Sequence, residues 1–283
     1  MYEFSVQNEY NQTIELSKMQ SEYQIISIAG LDPPNAQIYE IKNSGMDGNI
    51  YNDSSLEDRI ITVTFSIEGP AEENRLNLYN YFKIKKRHRL FFENYSRSVY
   101  IDGYLESFPI GIFDQKEIAQ ASFRCPDPYF KDFITVDADL SSIQKKFEFP
   151  FSIEEPIPFS TIEVGEGQLL INKGDVETGM VIRFYAARGP VENPVITNAE
   201  TGAKFQVDIE MDPFDEVKVN TIKMNKSVIL VSGSDETNLV DDIVQGSTWL
   251  QLNPGGNTFI VNAVDGAENL DVYIDVNTLY QGV

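Results

Sequence analysis

Alternating apolar and polar residues run through the first half of the chain and predict β-strands. The clearest stretch runs from Arg59 to Glu68, and its apolar residues occupy every second position: Ile61, Val63, Phe65 and Ile67. A period of two places such residues on one face of a half-buried strand. The same signal predicts strands at residues 2–6, 13–16, 24–28, 90–92, 98–105 and 118–124, and glycines mark a turn at 44–49.

One segment of the first half has helical spacing instead. Pro70 suits the first turn of a helix, because its missing N–H has no partner there in any case. Leu76, Tyr79 and Phe82 follow at helical intervals, so we expect this stripe to pack on the sheet. Basic residues between Lys83 and Arg89 follow the predicted helix.

The chain is predicted to divide in two near residue 130. The two prolines of Cys125-Pro126-Asp127-Pro128-Tyr129 cannot donate to a ladder, so they end the preceding strand. The charge shifts here as well, because residues 1–132 hold 13 basic and 20 acidic side chains, and residues 133–283 hold 9 and 24. We therefore predict one domain at 1–132 and a second at 133–283.

Short strands separated by glycine and proline turns fill the second half. They are predicted at residues 180–186, 203–209, 217–220, 227–231, 249–252, 258–263 and 271–275. Such regular short strands are typical of a β-sandwich or jelly-roll-like domain. The fold class is therefore expected to be mainly β.

Composition narrows the possible functions. The 283 residues carry a net charge of −22, which opposes phosphate binding and argues against a nucleic-acid ligand. The single Cys125 excludes an intrachain disulfide and a cysteine-rich metal site, and the single His88 removes most metal and triad chemistry. No apolar run is long enough for a bilayer and no signal peptide is visible, so cytoplasmic synthesis is expected.

One dense basic cluster follows the predicted helix, and it consists of Lys83, Lys85, Lys86, Arg87 and Arg89. Three interpretations are open: charge that complements the helix dipole, ion pairs with an acidic neighbouring subunit, or contact with nucleic acid. We interpret His88, inside this cluster, as a basic loop residue whose cationic neighbours depress its basicity.

Trp249 is the candidate for stacking on a sugar ring. It lies in Thr248-Trp249-Leu250-Gln251-Leu252, where a period of two places both leucines on one face. If the leucines point inward, Trp249 points outward. Cys125 is interpreted as a small buried hydrophobe, and the acidic stretch at 47–53 as a plain turn rather than a calcium loop. Glycosidase-type carboxylate pairs stay open, since any acidic chain offers many.

Several short motifs stand in a characteristic order. Those of the first half are Ser44-Gly45-Met46-Asp47-Gly48, Arg59-Ile60-Ile61-Thr62-Val63, Ile101-Asp102-Gly103-Tyr104 and the Cys125–Tyr129 junction. Those of the second half are Pro194-Val195-Ile196-Thr197-Asn198, Thr201-Gly202, Val219-Asn220-Thr221, Trp249-Leu250 and Asn253-Pro254-Gly255-Gly256-Asn257. With this order and spacing, the chain resembles the siphophage distal tail protein family over nearly its whole length.

The resemblance implies a structural protein with no catalytic, cofactor-binding or metal-binding residues. A first domain with a β-sandwich or barrel-like fold and one helix would build a hexameric ring between tail tube and adsorption apparatus. A second, galectin-like (carbohydrate-module-like) β-sandwich would lie at the periphery. The implied location is the virion tail tip. The implied partners are other copies of the chain, the major tube protein, a tail-associated tip protein and receptor-binding or baseplate proteins, with DNA only as passing cargo and no membrane.

Two other classes of function stay open. The first is a carbohydrate-binding adhesin or receptor-binding module, which would use Trp249 against a host surface saccharide. The second is an enzyme that acts on cell-wall polymers. Because neither a histidine partner nor a cysteine cluster is present, we expect that the protein is not an enzyme.

Overall fold

The computed structural model describes residues 3–16, 22–45, 47–112, 116–140, 143–145, 160–162 and 167–283. The chain forms two compact units, the first made of residues 1–133 and 279–283, and the second of residues 134–278. The predicted second domain extended to residue 283, whereas residues 279–283 belong to the first unit. The reason is apolar packing, because Tyr280 is buried in the core of the first unit and Val283 packs against it.

In its described residues, the first unit consists of one main antiparallel sheet, a separate two-stranded hairpin and one helix. Its elements are β1 (Glu3–Gln7), β2 (Thr13–Leu16), β3 (Tyr23–Ala29), β4 (Ala36–Ile41), β5 (Ile50–Leu56), β6 (Arg59–Ile67), α1 (Ala71–Tyr81), β7 (Arg87–Glu93), β8 (Ser98–Ser107), β9 (Ile118–Cys125) and the start of β10 (Phe130–Asp139). The strand order is β2-β1-β7-β8-β9-β6-β3, and β10 also pairs with β8. In the described residues β2 and β3 do not pair with each other, so the barrel-like alternative is not realised.

The core of this unit follows the predicted alternation. In β6, Ile61, Val63 and Phe65 are fully buried, and they face Phe123 and Ala121 of the paired strand β9. An interior without voids requires such side chains to interdigitate. The centre of the Phe82 ring lies 6.4 Å from that of Phe65, 4.8 Å from that of Phe108 and 6.1 Å from that of Phe123. The alternation of apolar residues in β6 therefore predicts its buried face correctly.

The helix lies where the spacing predicts it, but it buries a different face. Leu76 and Tyr79 are 52% and 42% exposed, whereas Asn74, Leu78 and Tyr81 are buried. A polar residue takes the inward position because its amide is satisfied. The Asn74 side chain donates to the backbone carbonyl of the segment before the helix at 2.7 Å. The predicted apolar stripe is therefore wrong except for Phe82, which is buried just beyond the helix.

The second unit is a two-sheet sandwich. Beyond the rest of β10, its strands are β11 (Ile143–Lys145), β12 (Ser160–Ile162), β13 (Gln168–Asn172), β14 (Met180–Ala186), β15 (Val191–Glu192), β16 (Val195–Asn198), β17 (Lys204–Gln206), β18 (Glu210–Met211), β19 (Glu216–Asn220), β20 (Ser227–Ser232), β21 (Asp235–Asn238), β22 (Gly255–Asn262) and β23 (Leu270–Tyr280). Short 3₁₀ helices lie at Val240–Asp242 and Ala267–Asn269. One sheet has the order β10-β23-β14-β19-β20-β21 and the other β13-β22-β16-β17.

Both sheets of the sandwich contribute to one core. Ile182 and Phe184 from the first sheet and Phe205 and Phe259 from the second are fully buried in the same cluster. The strand predicted at 249–252 is wrong, since this stretch is irregular apart from an isolated bridge at its last residue. Its alternation nevertheless holds, because both leucines point inward.

A buried arginine ties residues 279–283 to the first unit. Arg59 is 3% exposed and lies at the start of β6. Its guanidinium donates to the carbonyl oxygens of Gly30 at 2.6 Å, Asp32 at 2.5 Å and Gln281 at 2.5 Å, while Nε donates to that of Pro128 at 2.8 Å. One side chain thus joins three distant segments of backbone.

Candidate assembly surface

An exposed hairpin, which we call the hairpin arm, spans residues 36–56 of the first unit. Strands β4 and β5 pair with each other in a two-stranded sheet of their own. Every residue of both strands is exposed. A two-stranded hairpin that packs on nothing is marginally stable in water. The hairpin arm therefore relies on the pairing of its own two strands.

Large apolar side chains occupy both faces of the hairpin arm. The register pairs Ile38 with Ser54 and Glu40 with Tyr51 on one face, and Ile41 with Ile50 on the other, with a bulge in between. The first face therefore carries Ile38, Tyr51 and Leu56, and the second carries Tyr39, Ile41 and Ile50. Their exposed fractions lie between 37% and 62%. Contiguous apolar surface of this kind marks an interaction site.

Turn chemistry explains why the hairpin forms. Gly45 and Gly48 take positive φ angles of 95° and 84° in the turn between the strands, a conformation that glycine adopts without strain. This is the turn predicted at 44–49. The backbone amide of Glu57 donates to the carbonyl of Asn35 at 2.9 Å and closes the base. The stretch weighed as a calcium loop thus forms part of a hairpin.

The predicted basic cluster is mostly satisfied within the chain. Lys83 donates to the carbonyl of Tyr79 at 3.0 Å, which is a helix-end contact, and Lys86 pairs with Glu9 at 3.1 Å. Lys85 adopts a positive φ of 67° in the turn before β7. The first of the three interpretations therefore describes Lys83, and a role at a subunit interface stays a prediction.

The two arginines of the cluster lie on strand β7 rather than on a loop. Arg87 and Arg89 both pair with Asp102 of β8, at 2.7 and 2.8 Å. Burial disfavours the ionised Asp102 carboxylate, but the hydrogen bonds from Arg89 and Arg87 outweigh it, so its pKa is lowered. The guanidinium of Arg89 also lies 4.3 Å from the centre of the Tyr100 ring. These charges stabilise the sheet face locally.

His88 is a core residue, which corrects its interpretation as a loop residue. It is 1% exposed, and its ring lies 5.7 Å from that of Phe82 and 5.6 Å from that of Phe123. The strand period turns it inward while its two arginine neighbours point outward. Its pKa is lowered chiefly by burial, not by cationic neighbours, and the bond between Nδ1 and the Lys86 carbonyl at 3.0 Å opposes this only in part. Its Nε2 has no hydrogen-bond partner among the described residues.

The buried imidazole predicts a pH dependence of stability. Because the folded-state pKa lies below the ordinary value of about 6.5, the unfolded chain binds the proton more readily. The stability that depends on the neutral His88 imidazole is therefore fully present above about pH 6.5. It is lost as the pH falls from there toward the folded-state pKa. Urea unfolding between pH 7 and 5.5, followed by circular dichroism, is expected to show this decline. A His88→Leu variant removes the only histidine, and an equal decline in that variant would contradict the assignment.

Cys125 and Trp249 are both partly or fully enclosed. Cys125 is fully buried, as predicted, and burial raises its thiol pKa to about 12. Trp249 is half-buried, with its ring 5.1 Å from that of Phe205 and the Lys226 ammonium 5.2 Å from its ring centre. The ring is thus engaged by protein groups, and a sugar-stacking role stays a prediction.

Across the described ranges, no group of three or more His, Cys, Asp or Glu residues is arranged to hold a metal.

A groove of about 560 Å³ lies beside the base of the hairpin arm. Residues 31–33, 94–97, 282 and 283 line it, and all belong to the first unit. Within the described part of the chain, no helix is long and apolar enough to cross a membrane. The hairpin arm and this groove are both exposed features of the first unit.

Two family models match the chain, one in each unit. A family model for the C-terminal domain of siphovirus-type tail components matches residues 173–274, and one for a phage tail protein RIFT-related domain matches residues 12–120. No curated protein is significantly similar to the chain.

Solved structures share the fold. The Dit protein of phage SPP1, described as a paradigm of the hub adsorption apparatus in phages that infect Gram-positive bacteria, superposes with a TM-score of 0.68 at 14% identity, over 98% of both chains. A chain of the phage P2 baseplate in its activated conformation superposes with a TM-score of 0.50 at 10% identity, over 97% of this chain and 98% of that one. The strontium form of that baseplate gives the same score. The two family models cover both units, and the fold extends over the whole length, so this chain belongs to the siphophage distal tail protein family and has a structural role in the phage tail and baseplate.

Proposed function

We propose that the first unit assembles with other copies of the chain into a ring, expected to be hexameric, that joins the tail tube to the adsorption apparatus. The observation that supports this most strongly is the hairpin arm, which has three large apolar side chains on each face and in which every residue of both strands is exposed. Each such side chain contributes about 1.5–3 kcal/mol when fully buried.

A second copy of the chain is the occupant that we favour for the hairpin arm. The same unit exposes a short row of side chains on its sheet, which we call the receiving row. In it, Tyr104 of β8 and Ile60 of β6 lie on either side of Arg124 of β9. They are 48% and 45% exposed. A contact between two different patches is heterologous, and such contacts form a ring when the rotation from one copy to the next closes on itself.

Electrostatics also favours an apolar contact. Copies of a chain with a net charge of −22 repel one another, so charge alone does not hold them together. A stable interface typically buries about 800 Å² on each partner. A projecting hairpin with two apolar faces supplies contact area, and the acidic surfaces of two copies then do not have to face each other closely.

Serine substitutions in the hairpin arm test the proposal. An Ile38→Ser, Ile41→Ser, Tyr51→Ser variant is expected to be monomeric by light scattering, whereas the wild type forms rings that are visible by negative stain. The matched control is Leu169→Ser, Ile171→Ser, which removes exposed apolar residues from the second unit and is expected to leave the mass unchanged. A wild-type protein that stays monomeric, or a triple variant that still forms rings, would contradict the proposal.

A mixing experiment tests the heterologous geometry. An Ile60→Ser, Tyr104→Ser variant loses the receiving row but keeps its hairpin arm. In a mixture with the hairpin variant, the intact hairpin arm of one chain can still bind the intact receiving row of the other. No further contact can then extend this pair. The mixture is therefore expected to form dimers and no rings. Rings in the mixture would show that the two patches do not bind each other.

The remaining parts of the proposal follow from the family. The partners are the tube protein, a tail-associated tip protein and receptor-binding or baseplate proteins, with synthesis in the host cytoplasm before incorporation at the tail tip. We also propose that the protein has no enzymatic activity. The burial of His88 and Cys125 supports this, since neither is placed to act on a substrate.

A further inference from the structure

Residues 279–283 lie against the segment that leads into the hairpin arm. The backbone amide of Val283 donates to the carbonyl of Leu31 at 3.3 Å. At Gly282 an added Cβ would lie 3.2 Å from the same carbonyl oxygen, so the two backbones are in close contact. Leu31 precedes β4 by five residues. The segment therefore covers the stretch of chain just before β4, which we call the first foot of the hairpin arm.

The buried arginine joins this segment to both feet of the hairpin arm. Arg59 follows the end of β5 by three residues, so it stands at the second foot. Its guanidinium binds the carbonyls of Gly30 and Asp32 at the first foot and that of Gln281 in the segment. The Arg59 guanidinium therefore holds the two feet together, and it is bound at the same time to the carbonyl of Gln281.

Two further contacts hold the segment in place. Tyr280 is 7% exposed in the core of the first unit, and its hydroxyl donates to Asp132 at 3.3 Å. The Arg97 guanidinium lies 4.2 Å from the centre of the Tyr280 ring and donates to the Gly282 carbonyl at 2.6 Å. Docking of the segment is therefore built from specific contacts.

We propose that the docking of residues 279–283 fixes the base of the hairpin arm, and that assembly depends on this docking. Every residue of the two strands of the arm is exposed, so the described contacts that can set its direction lie at its base. Residues Arg59 and Gln281 are 222 positions apart, and during synthesis the segment emerges long after the arm. A chain that lacks residues 279–283 then has a hairpin arm whose base is not fixed, and it stays out of the ring. The dependence of assembly rests on the proposed function, whereas the fixing of the base does not.

The test uses the full chain and two variants of the segment. One ends at Thr278, and the other carries Gly282→Val, which forces a branched side chain against the Leu31 carbonyl. Hydrogen exchange of the Glu57 amide, which closes the base, is measured in dilute monomer, and mass is measured by light scattering. We expect at least tenfold faster exchange at Glu57 and loss of rings in both variants. Amides of β14 in the second unit serve as the internal reference.

The outcomes separate the two proposals. Unchanged Glu57 exchange in both variants would overturn the fixing of the base. Faster Glu57 exchange with normal rings would overturn the dependence of assembly. Rings in the hairpin serine variant would overturn the proposed interface alone, since the exchange result is independent of it. If the shorter chain also loses protection in β1, the first unit has unfolded, and Gly282→Val decides.

Discussion

Arg59→Met is expected to lower the free energy of unfolding of the first unit by about 3–5 kcal/mol. The substitution leaves four carbonyl oxygens without their charged donor, and those of Gly30, Asp32, Pro128 and Gln281 belong to segments far apart in sequence. A buried acceptor that loses its partner costs about 1–3 kcal/mol. Relaxation of the pocket recovers part of the sum.

The two units can be followed separately in this experiment. Trp249 is the only tryptophan and lies in the second unit, so its fluorescence reports that unit, whereas far-UV circular dichroism reports both. We expect Arg59→Met to shift an early dichroism transition and to leave the fluorescence midpoint unchanged. Arg124→Met is the matched control on the same sheet, because Arg124 is exposed and pairs with Asp58 and Glu106 at the surface. Equal effects of both substitutions would refute the role assigned to the buried guanidinium.

Gly30→Ala is expected to destabilise the first unit by about 3 kcal/mol, because strain and a backbone clash add. Gly30 has a φ of +88°, and an added Cβ would lie only 2.1 Å from the carbonyl oxygen of Ile60. That oxygen belongs to strand β6, so it cannot move without disturbing the sheet. Thermal unfolding followed by circular dichroism measures the loss.

Gly45→Ala separates the two contributions. Gly45 has a similar φ of +95°, but nothing lies within 4 Å of an added Cβ. Its substitution is expected to cost about 1 kcal/mol from the left-handed backbone alone. If both alanine variants unfold at the same temperature, the close approach at Gly30 carries no energetic weight.

Strands with one buried face could be predicted from the sequence because their two faces differ in polarity. Strands β6, β14 and β23 alternate buried and half-buried positions along nearly their whole length. The same period was available for His88, since outward arginines on both sides of a residue in a strand imply an inward side chain. The charge of the neighbouring residues favours a loop at His88, whereas the period of two predicts its burial.

The hairpin arm could not be read from periodicity. Its strands carry apolar residues on both faces, so the sequence lacks the difference in polarity between a solvent-exposed face and a buried face. The turn between them was visible through its glycines. The helix face was mistaken for a related reason, because a satisfied Asn74 occupies a place that hydrophobicity assigns to Leu76.

The contacts of Arg59 have no local signal either. Its partners lie 27 to 222 residues away, and all are backbone carbonyls, which every residue type provides. Only the fold reveals which carbonyls converge. The placement of residues 279–283 in the first unit was missed for the same reason.

The second unit interrupts the first, since the chain leaves the first unit at residue 133 and returns at residue 279. The two crossing points are close together, because the hydroxyl of Tyr280 reaches Asp132 at 3.3 Å. A module inserted in this way can be exchanged for another whose ends lie side by side, and the host domain keeps its full set of strands. Replacement of the inserted module is therefore expected to leave the folding of the first unit intact.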